Sequence, residues 1–69
     1  MRYYVTNPDL IPFHAQPENG YTKLQAIARA QREAEEASKL FDLPITETAK
    51  WFHIVDSNFH YCQELDSAI

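Results

Sequence analysis

Sixty-nine residues with one cysteine and a net charge of −4 make one domain, residues 1–69, near the lower size limit for a self-standing core. The single Cys62 excludes an internal disulfide, and the acidic balance works against phosphate-backbone binding, which needs clustered Lys and Arg. Three scattered histidines and one cysteine are a poor ligand set for a structural metal, so docking onto a partner or a second copy is the expected support for so small a core.

The apolar and aromatic content is that of a folded chain. Met1–Val5 carries no apolar h-region, so no signal peptide is expected. No apolar run approaches the roughly 18 residues of a membrane span, and the expected location is the cytoplasm.

Residues 2–6 combine aromatic and β-branched side chains, the pattern of a strand. Asn7-Pro8-Asp9 is a turn signal. Residues 11–15 read either as loop or as a short returning strand, which Pro12 would confine to an edge because it lacks an N–H. Residues 16–20 are loop.

Thr22 followed by Gln25 fits a capping box and opens a helix over 22–41, built from good helix formers. At 100° per residue Leu24, Ile27, Ala30, Gln31, Ala34, Ala37, Ser38 and Phe41 form its inner stripe; Arg29, Arg32, Glu33, Glu36 and Lys39 form the outer side. Three alanines at the centre of that stripe predict a close approach of the helix backbone to whatever it packs on. Asp42-Leu43-Pro44 ends the helix.

Residues 49–55 and 59–63 are rich in aromatic and β-branched side chains, with Asp56-Ser57-Asn58 between them. They predict a hairpin with a three-residue loop and Asn58 in the left-handed position. Phe52, Val55, Phe59 and Cys62 also recur at helical spacing, so a helix is the competing reading. The expected fold is α+β: a small antiparallel sheet of three or four strands with one helix on one face, ordered β-(β)-α-β-β.

In that hairpin Trp51, Val55, Phe59 and Tyr61 share one face, and Phe52, Ile54 and Cys62 the other. One helix covers one face. Either loop 7–21, with Ile11, Phe13 and Tyr21, covers the second, or Trp51, Val55, Phe59 and Tyr61 form an exposed protein interface.

His53, His60 and Cys62 are close in sequence, but the three-residue loop turns His53 toward Tyr61 and the other two away, and zinc would want a fourth ligand. No metal, cofactor or catalytic residue is expected. Cys62 lacks the oriented base and cleft that thiol chemistry needs, and a lone Gly20 excludes a glycine-rich phosphate loop. The helix acids are interleaved with Arg29, Arg32 and Lys39, an ordinary solvated face rather than an imitation of phosphates.

The functional expectation is a non-enzymatic module that binds another protein, regulating or inhibiting it, with a homodimer as a further possibility. An alternative is a nucleic-acid-associated factor that stacks bases on the aromatic strand face, although only Arg2 and Lys50 would supply charge there. A zinc or thiol enzyme is the third reading. With a strand, a helix and a hairpin in so few residues, the chain resembles in size and organisation the small accessory proteins of phages and other mobile elements, many of which inhibit host machinery.

Overall fold

The computed structural model describes residues 2–66. Strand β1 (Tyr3–Thr6) is followed by a long loop, helix α1 (Lys23–Phe41), a short helix α2 (Ile45–Thr48), a 3₁₀ turn (Ala49–Trp51), strand β2 (His53–Asp56) and a short helix α3 (Gln63–Asp66). The fold is α+β, but the expected three or four strands and single helix are corrected. The sheet has two strands, β1 and β2, paired antiparallel with Val5 opposite Ile54 and Thr6 opposite His53.

The missing strands survive as isolated bridges, Thr6 with Pro12, Tyr3 with Tyr21 and Val55 with Tyr61. Beyond Pro12 the chain cannot run on as a strand, because Ala15 takes a left-handed φ of 61°. After Tyr61 it turns directly into α3. Residues 49–51 coil into a 3₁₀ turn instead of beginning a strand, because the buried Thr48 hydroxyl donates to the Ala34 carbonyl of α1 at 2.7 Å and pins that segment to the helix. This bond is the close approach that the alanines predict: Ala34 has no side-chain bulk to hold Thr48 away.

The outer edge of β1 is completed by a side chain. The Gln16 amide accepts from the Val5 N–H (2.8 Å) and donates to the Val5 carbonyl (3.0 Å), standing in for a peptide unit of a neighbouring strand. The rest of the loop is held the same way. Arg2 donates to the carbonyls of Asn19 and Gly20, Tyr4 to that of Glu18, and Arg29 to that of Ala15 and to the Tyr21 hydroxyl. Gly20, at φ 81°, lies so close to β1 that a Cβ would stand 2.9 Å from the Tyr3 carbonyl oxygen.

Each strand leads into the same turn. In the first, the Asn7 carboxamide accepts from the N–H groups of Asp9 and Ile11, and Leu10 is left-handed. In the second, the Asp56 carboxylate accepts from those of Asn58 and His60, and Phe59 is left-handed. Both match a type I turn followed by a left-handed residue. The Phe13 N–H then meets the Val5 carbonyl, as that of Cys62 meets that of Ile54. The two strand–turn units are thus related by an approximate two-fold through the Val5–Ile54 pair. The hairpin loop is three residues long, Ser57-Asn58-Phe59, one position later than expected, because Asp56 rather than Val55 closes it. Opposing partners shift by two residues, which keeps Ile54, Val55, Tyr61 and Cys62 on their expected faces.

Helix α1 starts on the complete Thr22/Gln25 capping box and ends at Asp42, whose left-handed backbone (φ 54°) returns an N–H to the Ser38 carbonyl. Its buried line is Ala26, Ala30, Ala34 and Ala37. They pack with Val5, Phe52, Ile54 and Leu65 as the core. The inner stripe is therefore rotated from expectation: Leu24 and Phe41 are exposed, and Gln31 with them. Among the described residues no helix is long and apolar enough to cross a membrane.

Candidate interface groove

The C-terminal half of α1 turns Glu33, Glu36, Ala37, Leu40 and Phe41 toward a common side, the spacing of one helical stripe. Facing them are Phe13 from the loop, Trp51 from the 3₁₀ turn and Phe52. Asn7 and Pro8 close one end. The walls are locked by ring contacts, Phe13 with Phe52 and Phe41 edge-on with Trp51, each at 5.5 Å between centroids. Ala37 is small, so the floor is low, and the result is an open groove of about 570 Å³. That is within the few-hundred to thousand Å³ range of ligand sites.

The chain order explains the wall opposite α1. The turn at Asp42 and Pro44 reverses the chain, Thr48 anchors it to α1, and the 3₁₀ turn then swings Trp51 against Phe41. Leu40 and Phe41 are left 77% and 58% exposed at the lip.

The polar lining is Asn7, Glu33 and Glu36. Glu33 accepts from Arg29 Nε at 2.8 Å. Partial burial opposes the Arg29 charge, but its bonds to Tyr21 and Glu33 outweigh that, so its pKa is raised. Glu36 has no cationic partner among the described residues, and no Lys or Arg lines the groove.

The expected interface quartet is divided. Trp51 lines the groove on the helix side, while Val55, Phe59 and Tyr61 lie on the helix-free face of the sheet. There Phe59 stacks on Tyr4 at 5.7 Å and His53 meets Tyr61 edge-on at 5.2 Å. These rings and Leu10 form a thatch. Beneath it Thr6 and Val55 are fully buried, whereas Phe59 and Tyr61 keep 54% and 44% exposure. Loop 7–21 does not cover this face with Phe13 and Tyr21, which pack against the helix-side core.

His53, His60 and Cys62 are not gathered. Cys62 sits with the helix-side core, His53 on the opposite face, and His60 is exposed. Among the described residues no group of three or more His, Cys, Asp or Glu could hold a metal ion. Neither strand offers an open ladder at its middle. The outer edge of β1 is taken by Tyr21, Gln16 and Phe13, and that of β2 by His60 and Cys62.

Leu40, Glu36 and Phe13 were not expected at an interface. For Glu36 and Leu40 the signal is the spacing 33-36-37-40-41 beside the alanine line, with two apolar residues closing the helix; Phe13, in the loop, carries no such signal. No protein family, curated protein or solved structure matches this chain.

Proposed function

We propose that this protein is a non-enzymatic module that binds another protein through the groove at the C-terminal end of α1, and regulates or inhibits that partner by occupying its surface. The observation that carries the reading is a preformed apolar groove whose lip residues, Leu40 and Phe41, stand uncovered beside Trp51. Apolar side chains left in water around a concavity gain most when a partner buries them. Phe13, Ala37, Leu40, Phe41, Trp51 and Phe52 dominate the lining, the aromatic and apolar character of an interface core. The helix-free face supports the role less well, because its rings already pair with one another over Val55. Arg2, beside Tyr4, is engaged with the carbonyls of Asn19 and Gly20, which leaves little charge there to meet a nucleic-acid backbone.

The helix supplies its own control. Leu24 and Leu40 are equally exposed, at 77%, near opposite ends of α1. Partner capture from extracts of the native host should be lost or weakened by about 2 kcal/mol for Leu40→Ala, the hot-spot scale. Leu24→Ala should bind as the wild type does. Equal effects of the two substitutions, or none from Leu40→Ala, would remove the groove from the function.

A further inference from the structure

We infer that the occupant of this groove is a basic amphipathic helix of the partner, its apolar side chains seated over Ala37 against Trp51 and a Lys or Arg beside Glu36. The inference rests on the groove being the docking surface. Three features set the sign of the charge. Glu33 and Glu36 line the groove with no Lys or Arg among the lining residues, and only Glu33 is neutralised, by Arg29. The groove lies at the C-terminal end of α1, where the aligned peptide dipoles favour cations. The chain as a whole is at −4, which draws a cationic segment in at long range.

Shape sets the conformation of the occupant. The stripe from Glu33 to Phe41 extends for roughly 12 Å at 1.5 Å per residue, a length that two turns of a helix match. An extended segment would instead look for a free sheet edge, and the mid-strand hydrogen-bonding positions of β1 and β2 are taken by Gln16, Phe13 and Cys62. The aromatic walls suit the same occupant, since a guanidinium or ammonium group lies favourably over the face of an aromatic ring such as that of Trp51 or Phe41. A second copy of the chain fits less well. Isologous pairing through the groove would set the Glu36 carboxylates of both copies at one interface, a like-charge juxtaposition that selects against the pair.

Trp51 is the chain's only tryptophan and lines the groove, so its fluorescence reports occupancy directly. The test titrates the whole protein with a synthetic Leu/Lys peptide of amphipathic helical pattern, and with a Leu/Glu peptide of the same apolar face. The expected result is a blue shift and acrylamide protection of Trp51 by the Leu/Lys peptide, at an affinity about tenfold tighter than for Leu/Glu, the advantage shrinking in high salt. Glu36→Lys should abolish that preference while the far-UV spectrum stays unchanged. Leu40→Ala should weaken binding of the Leu/Lys peptide, and Leu24→Ala should leave it intact. Equal protection by both peptides would overturn the charge assignment and leave the groove as a docking surface. If neither peptide shields Trp51, the groove reading falls as well. Tight Leu/Lys binding that ignores both Glu36→Lys and Leu40→Ala would place the peptide elsewhere and overturn the inference.

Discussion

Replacing Gln16 by alanine tests whether a side chain can take the place of a strand. The Gln16 amide makes three hydrogen bonds, to the Val5 N–H (2.8 Å), the Val5 carbonyl (3.0 Å) and the Phe13 carbonyl (2.8 Å), and Val5 is fully buried. A buried N–H left without an acceptor costs about 1–3 kcal/mol. Gln16 is only half-buried, so water reaches part of the vacated space, and the expected loss is about 2 kcal/mol. For a domain of this size that lowers the melting temperature by roughly 8–16 °C. Gln16→Glu is the sharper variant. It keeps the acceptor for the Val5 N–H but faces two carbonyl oxygens with a carboxylate, so the folded state favours the protonated acid and raises its pKa above the ordinary value of about 4.3. Stability is then greatest below that ordinary value and declines as pH rises through the raised one. Circular-dichroism melts near about pH 4 and about pH 7 should show the variant closer to wild type at the acid end. Amide exchange at Val5 should quicken in Gln16→Ala. A Gln16→Ala protein that melts within about 2 °C of wild type would refute the strand-replacement account.

Three other perturbations bear on packing and turns. Ala34→Gln puts a long side chain where Thr48 touches the helix backbone, and should cost about 1–3 kcal/mol in a denaturation experiment; an unchanged midpoint would contradict the buried alanine line. The Asp56 carboxyl is held below its ordinary range by the His60 N–H and then that of Asn58, against some desolvation. It therefore adds stability above the unfolded carboxyl value, and this is lost as pH falls through the depressed folded one. Asp56→Asn keeps the acceptor, as Asn7 does in the twin turn, and should flatten that part of the acid limb of a stability–pH curve. Ala15→Gly relieves a left-handed residue with an exposed side chain and should raise the denaturation midpoint by up to about 1 kcal/mol of stability; a lower midpoint would show that the methyl group matters.

What was legible in the sequence is what is local. Helix α1 is written in its own residues, from the Thr22/Gln25 box to the stop before Pro44, and the structure follows it closely. The extent of the sheet was not legible, because the third strand's place is taken by one carboxamide, and no periodicity in residues 11–15 points to Gln16. The 3₁₀ turn at residues 49–51 hides for a similar reason. Its aromatic and β-branched neighbours favour a strand, but one hydroxyl, on Thr48, ties the segment to α1. Pro44 followed by Glu47 in the first turn of α2 was the available helix signal there. The face assignments of Phe52, Ile54, Val55 and Tyr61 came through a misplaced loop because a shift of two leaves them in place. Trp51 lies outside the ladder, where alternation has no force, so the expected aromatic quartet separated into a groove wall and a sheet face.

The claim that matters most is that partners dock at the groove and not on the aromatic sheet face. A photoreactive phenylalanine analogue placed at Leu40, Leu24 or Phe59, one position at a time, and irradiated in the cells that naturally make the protein, tests it directly. All three residues are exposed and lie outside the buried core, so each reports contact with little disturbance of it. The account predicts one discrete covalent adduct from position 40 and none from position 24 or 59. An adduct from position 59 with none from position 40 would contradict it and move the interface to the face formed by Tyr4, Phe59 and Tyr61.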